Sequence, residues 1–353
     1  MVLTCSYIRH DRELTMTQMD AIIGSHSHLI IFSWHIDSET GLLGSLNKIK
    51  APLPSTSMVY RWLDRVKSLR KSKRTRVKIL YAFNIDTPEP TNPGNYILNA
   101  ITLRKSIIAN TIVNTIKSHI SQFNVYDGVS FDFEGAAATW AHVYPEFTST
   151  VRAALATSRL PSYINSYIST RFYGLDASIW QGWENTSDHI ILPIYSSPQV
   201  AASPTDAYNV FQTRLNVIES KILDKSKLLY IAGLFTYDWR TKTGDQAAEA
   251  YDKDTIFYKD IIVKTPLLTS PLYRCVYTSR QMTDTEILGD AICERNDIIP
   301  PMPVFQQVYW CQSSEFLNRF KECKVKGYGG FGYWYAGVEG SQDYLDILKI
   351  LNA

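Results

Sequence analysis

Short β-branched and aromatic runs alternate with longer stretches of helical period along almost the whole chain. That alternation is the mark of βαβ units around a parallel sheet. Eight runs predict strands: Thr4–Ile8, His28–Ser33, Val77–Phe83, Gly128–Phe133, Ser162–Ile168, His189–Tyr195, Lys227–Leu234 and Gly329–Trp334. Leu29-Ile30-Ile31-Phe32 and Ile190-Ile191-Leu192 are unbroken apolar runs, as strands buried on both faces require. Between strands, Ile108, Ile112, Ile116 and Ile120, and then Tyr208, Phe211, Leu215, Ile218 and Ile222, recur at helical spacing. Each stripe predicts a helix docking its apolar face onto the sheet. Further helices follow from Val59, Leu63 and Val66, from Phe147, Val151 and Leu155 behind Pro145, from Phe316 and Phe320, and from Tyr344, Leu345, Leu348 and Leu351. Eight strands with intervening helices predict an α/β fold of the closed (β/α)8, or TIM-barrel, type rather than an open doubly wound sheet.

One gap breaks the rhythm, because about 70 residues separate the seventh strand from the helix at Phe316, far more than a βα loop needs. The stretch 235–312 therefore reads as a small insertion on the C-terminal face, where barrel active sites lie. No internal repeat, low-complexity tract or linker divides the chain, so residues 1–353 are expected to form a single barrel domain. A length of 353 residues fits one barrel with insertions, and 45% hydrophobic against 20% charged residues excludes a disordered chain.

Lys+Arg 36 against Asp+Glu 34 gives a net charge of +2, too little to supply the phosphate attraction that dominates nucleic-acid binding. The one basic run, Arg65, Lys67, Arg70, Lys71, Lys73, Arg74, Arg76 and Lys78, reads as a solvated helix end. Nothing approaches the apolar length of a membrane span. Arg9, His10, Asp11, Arg12 and Glu13 stand where a signal peptide would need its apolar core, so a cytoplasmic location is expected. Five cysteines, Cys5, Cys275, Cys293, Cys311 and Cys323, are odd in number and form no Cys-x-x-Cys pair. Reduced thiols are expected rather than a disulfide framework or a structural zinc site. The sequon Asn185-Thr-Ser bears on the chain only if it is secreted.

The chemistry concentrates in Tyr126-Asp127-Gly128-Val129-Ser130-Phe131-Asp132-Phe133-Glu134. Strand alternation puts Val129, Phe131 and Phe133 on one face, suited to the helix layer, and Ser130, Asp132 and Glu134 on the other, toward the barrel axis. Two acids on one buried face push one pKa up, and an acid protonated at neutral pH is what general-acid catalysis needs. The segment resembles the Asp-x-x-Asp-x-Asp-x-Glu signature of the glycoside hydrolase family 18 chitinases and the related endo-β-N-acetylglucosaminidases and chitobiases. Asp127, Asp132 and Glu134 match, and Ser130 replaces the second Asp. Ile191-Leu192-Pro193-Ile194-Tyr195 is similar to the family's Met-x-Tyr-Asp, with Tyr195 kept, Pro193 for Met and Ser196 for Asp. Gly329-Gly330-Phe331-Gly332-Tyr333-Trp334 resembles its eighth strand, which ends in the Trp under the sugar. The third strand ends Tyr81-Ala82-Phe83-Asn84, without the family's Ser-x-Gly-Gly.

The resemblance implies hydrolysis of β-1,4-linked N-acetylglucosamine in an oligosaccharide or glycan substrate. Glu134 would protonate the glycosidic oxygen while the substrate's own 2-acetamido group attacks the anomeric carbon. It makes Asp132 the residue that steadies the acetamido group, Tyr195 a donor to its oxygen and Trp334 the stacking floor. Trp34, ending the second strand, and Trp310, in the insertion, are either sugar platforms or packing residues. Tyr237, Asp238, Trp239 and Arg240 follow the seventh strand directly and are candidates for substrate contact. Seven His with no His-x-x-x-His spacing predict no metal, and the absence of Gly-x-Gly-x-x-Gly and Walker loops predicts no nucleotide cofactor. The alternative function is a non-catalytic, lectin-like carbohydrate-binding barrel, since the fold also hosts such members. The retained Glu134 favours the enzyme; Ser130 and Ser196 pull the other way.

Overall fold

The computed structural model describes residues 3–49, 52–86, 93–133, 137–168, 172–194, 213–233, 235–241, 250–257, 273–283, 286–295, 305–311, 313–337, 345–346 and 348–349. The strands in chain order are β1 (Leu3–Arg9), β2 (His28–Asp37), β3 (Lys78–Asp86), β4 (Gly128–Asp132), β5 (Tyr163–Tyr167), β6 (His189–Ile194) and β7 (Leu228–Gly233), then β8 (Phe235–Thr241), β9 (Ala250–Phe257), β10 (Tyr273–Thr283), β11 (Glu286–Arg295) and β12 (Phe305–Cys311), and last β13 (Gly330–Trp334). The first seven and β13 close into a barrel in the order β1-β13-β7-β6-β5-β4-β3-β2, all neighbours parallel. These are the eight stretches that the hydrophobic pattern predicts, and the fold is a (β/α)8 barrel. Within the stretch read as an insertion, β8 to β12 form a five-stranded antiparallel sheet of order β10-β11-β12-β8-β9.

Two barrel strands outrun the prediction. β2 continues to Asp37 and β3 to Asp86, pairing Trp34 with Phe83, His35 with Asn84, Ile36 with Ile85 and Asp37 with Asp86. These residues alternate apolar and polar, because above the barrel only one face is covered. They therefore do not extend the unbroken apolar runs of the barrel strands.

Helices α1 (Met16–Ser25), α2 (Met58–Lys71), α3 (Pro93–Leu103), α4 (Lys105–Phe123), α5 (Ala137–Trp140), α6 (Tyr144–Thr157), α7 (Ala177–Thr186), α8 (residues 213–219) and α9 (Ser313–Val325) lie between the strands. Their ends follow local chemistry. Thr15 and Gln18 make a capping box on α1, Ser57 caps α2 through the Tyr60 amide, and Asn124 closes α4 in the left-handed region at φ 54°. The stripe Ile108, Ile112 and Ile116 is buried, as are Leu215, Ile218 and Ile222; Tyr208 and Phe211 fall outside the described residues.

The outward face of β4 shows the same logic. Phe131 packs edge-on against Phe147 at 5.2 Å, and Phe133 meets Tyr144 at 5.7 Å and Trp140 at 6.0 Å. Val129, Phe131 and Phe133 thus face the helix layer as alternation predicts, which leaves Ser130 and Asp132 facing inward.

A recurring clamp sets the N-terminal end. Ser27 accepts from the Thr4 amide at 2.9 Å, Asp127 from the Ile79 amide at 2.7 Å and Asp188 from the Ile164 amide at 2.8 Å. In each case the residue just before an even-numbered strand holds the strand before it. Arg70 and Arg152, each from the helix leading into the clamped strand, bind Asp127 and Asp188. Arg65 pairs with Asp20, so two members of the basic run are structural ion-pair partners. Lys71, Lys73 and Arg74 are exposed.

The floor of the barrel carries two imidazoles kept neutral beside the Lys78 ammonium. His28 stacks on Tyr163 at 5.7 Å, and the Tyr163 hydroxyl meets His189 Nδ1 at 2.6 Å. Burial, with Lys78 alongside, pushes the His28 pKa down to about 3; burial, outweighing Asp188, takes His189 to about 4.

Candidate active site

Register fixes which residues line the C-terminal mouth. Ser130 is paired with Ala82 on one side and Asn165 on the other, and Asp132 with Tyr167. His35 is paired with Asn84 on the strands just beyond. Directly paired residues share a face of the sheet, so the inward row of β4 runs Gly128, Ser130, Asp132 toward the mouth. Ser130 is fully buried and Asp132 is 3% exposed.

The Ser130 hydroxyl is buried and has no hydrogen-bond partner among the described residues. Beside it lie Ala82 and the fully buried Asn165, both uncharged. Behind the strand, Tyr144 donates to Ser166 Oγ at 2.7 Å, which meets Ser187 Oγ at 2.6 Å. Burial, with the Asp132 charge as a smaller cause, raises the Tyr144 pKa, so this phenol stays neutral and donating.

Trp334 ends β13. Counting around the closed order, β13 is four strands from β4 in either direction, so Trp334 stands on the staff directly opposite Asp132. Its partly buried indole is met edge-on by Phe32 at 4.8 Å and Tyr7 at 4.9 Å. Tyr7 and Phe32 lie on inward positions of β1 and β2, and His10 Nδ1 approaches the Phe32 carbonyl at 3.3 Å. The arrangement is an indole packed at steep angles against two aromatic rings, which hold it in place.

The structure corrects one expectation. Trp34 is fully buried on the outer face of β2, stacked on Tyr81 at 4.5 Å and edge-on to His119 of α4 at 5.4 Å. It is a packing residue of the strand–helix layer, because the register shift between Ile31 and Trp34 breaks the alternation and turns it away from the axis. Asp127, although it matches the signature, lies at the opposite end of β4 from Asp132 and serves the clamp on Ile79 and Arg70.

Glu134 and Tyr195 lie outside the described residues. Tyr237, Trp239 and Arg240 belong to β8, with Cα partners Thr255, Lys253 and Asp252 on β9, and Trp310 belongs to β12 opposite Gly289; their side chains lie outside the described residues.

A hydrogen-bonded chain at the mouth escapes the sequence reading. Ser33 Oγ meets His35 Nε2 at 3.0 Å, and His35 Nδ1 meets Asp86 Oδ1 at 2.7 Å. The order Ser, His, Asp is that of a nucleophilic triad, but Ser33 has no exposed surface. The chain instead ties the extended end of β2 to that of β3, beside Phe32. Its signal in the sequence is the alternation Trp34-His35-Ile36-Asp37 facing Asn84-Ile85-Asp86. Among the described residues no cluster of His, Cys, Asp and Glu could hold a metal ion, and no helix is long and apolar enough to cross a membrane.

No family model and no curated protein sequence matches the chain. Solved structures do. A chitinase from Chromobacterium violaceum superposes with a TM-score of 0.70 at 13% identity, over 99% of this chain and 98% of its own. A chitinase-like agglutinin from Robinia pseudoacacia gives 0.68 at 13% identity, over 99% of both chains. A mutant class V chitinase from Nicotiana tobaccum, in complex with NAG4, gives 0.62 at 16% identity, over 99% of this chain and 98% of its own. At such identities the likeness is one of fold, and that fold is the barrel of chitinases and chitinase-like proteins.

Proposed function

We propose that the protein is a glycoside hydrolase acting on β-1,4-linked N-acetylglucosamine by a substrate-assisted, retaining mechanism. The observation that carries this reading is a buried carboxylate, Asp132, ending an inward row on β4, directly across the barrel mouth from the braced indole of Trp334. A sugar lying on the indole would present its 2-acetamido group toward β4. Asp132 would stabilise the positive charge that develops as the acetamido oxygen closes on the anomeric carbon. Glu134, two residues on in the same alternation, would give its proton to the leaving oxygen and recover one from the water that opens the oxazolinium. Tyr195 would donate to the acetamido oxygen. The chitinase structures of the same fold, one of them holding NAG4, support a sugar chain as the substrate.

The test is incubation with N-acetylglucosamine oligomers and with a free N-glycan, followed by product mass and by proton NMR of the first-formed anomer. Shortened products in the β configuration are expected, and glucose oligomers should stay intact. An α anomer appearing first would refute the mechanism. The second reading, a sugar-binding barrel without turnover, is favoured by Ser130 in place of an acid and by the agglutinin of the same fold. Binding of the oligomers with no product from either substrate would establish it.

A further inference from the structure

We propose that Cys275 and Cys293 form a redox-responsive cross-strand pair, which closes to a disulfide and staples strand β10 to β11. The antiparallel register places Cys275 directly opposite Cys293. Directly opposed residues of an antiparallel pair share a face, with Cα atoms about 4.5 or 5.5 Å apart according to the type of site. Both separations fall inside the span of about 4.4–6.8 Å that a disulfide bridges.

The same register resolves the odd count of cysteines. Cys311 on β12 is opposite Leu288, five residues along β11 from Cys293, which is about 17 Å at the strand rise and out of reach. Cys5 on β1 and Cys323 on α9 are buried at 0% and 4% exposure, and burial pushes the Cys5 thiol up to about 12, where it is no nucleophile. Two cysteines are therefore paired by position and three are not.

The place of the pair gives it a use. Among the described residues β10 is an edge strand, joined to its sheet through β11, and an edge strand is the one most easily peeled away. A bond between Cys275 and Cys293 closes the hairpin at the end far from its turn. It forms when the two S–H bonds break and one S–S bond forms. The two electrons and two protons pass to a disulfide oxidant of the glutathione class, which leaves as two thiols.

The experiment uses the full chain in reduced or oxidised glutathione, quenched, denatured, alkylated and digested with trypsin. Cleavage after Arg274, Arg280 and Arg295 puts the two cysteines in separate peptides, Cys275–Arg280 and Gln281–Arg295. The expected result in oxidised glutathione is a single linked species of these two peptides, reversible by reductant, with Cys5, Cys311 and Cys323 alkylated. The link should be lost in Cys275→Ser and kept in Cys311→Ser. Oxidation should also slow limited proteolysis within β10 on the order of tenfold. Five alkylated thiols, glutathione adducts without a link, a link through Cys311, or proteolysis unchanged by oxidation would each overturn the proposal.

Discussion

Mild acid should destabilise this barrel before its carboxylates titrate, and His26 offers a direct measure. Its ring lies between β1, β13 and α1, with Nε2 at 2.8 Å from Ser6 Oγ, Nδ1 at 2.8 Å from the Ile22 carbonyl and an edge on Tyr333 at 5.6 Å. Burial at 3% exposure lowers its pKa from 6.5 to about 4, against a smaller opposing contribution from the Ile22 carbonyl. The unfolded chain therefore takes up a proton near pH 6.5 that the folded chain refuses until about pH 4. Stability is fully present above 6.5 and falls as the pH drops through that window. At pH 5 this one ring lowers stability by about 2 kcal/mol, against about 0.2 kcal/mol at pH 7. His26→Asn, followed by urea unfolding at pH 7 and pH 5 and compared at equal m, measures this contribution. Losing the contacts to Ser6 and Ile22 lowers stability at both pH values. That cost cancels in the difference, so the drop from pH 7 to pH 5 should shrink by about 2 kcal/mol. His28 and His189 on the barrel floor keep the rest of the drop. Equal drops in wild type and variant would show that His26 does not carry this pH dependence.

Three further outcomes follow from the mouth and the interior. Trp334→Ala should weaken binding of N-acetylglucosamine oligomers by about 1–3 kcal/mol with little change in Tm; unchanged calorimetric affinity with a large fall in Tm would make Trp334 a core residue. Gly332→Ala should not fold, since its Cβ would lie 1.3 Å from the Cys5 carbonyl oxygen, whereas Gly174→Ala, with nothing within 4 Å, should melt like wild type in circular dichroism. Ser130→Asp would put a second carboxylate on the inward row beneath Asp132, and like charges in a buried site raise one of the two pKa values. The pH profile of kcat/KM on an oligomer should move its acid limb upward, and an unchanged limb would detach Asp132 from the reaction.

The barrel was legible because its eight strands are sealed on both faces, which writes each as an apolar run that needs no partner to be seen. The inward and outward split of β4 was legible for the same reason, with Phe131 and Phe133 committed to the helix layer. Trp34 was not, because a large aromatic at a strand end looks the same whether it faces the axis or the helices. Only the register shift between Ile31 and Trp34 turns it outward. His35 and Asp86 were hidden by distance, 51 residues apart in sequence. The five-stranded sheet of β8 to β12 was hidden by connectivity, since an antiparallel sheet is specified by pairing between strands more than by any run within one.

Why the two groups of the proposed site sit where they do follows from the strands that carry them. The inward column of β4 reads Gly128, Ser130, Asp132, and that of β13, opposite, reads Gly330, Gly332, Trp334. Both are small at depth and large at the mouth. Depth forces the small residues: a Cβ on Gly128 would stand 2.5 Å from the Tyr163 carbonyl, and Gly332 is pressed closer still by Cys5. The interior is filled from the strands between, by Tyr163, Leu80, Ile191 and Ile231, while His28 and His189 close the floor as neutral rings. In the proposed site, Asp132 at the last inward position of β4 faces the indole across the mouth, so that positive charge developing on a bound sugar would lie nearest to it.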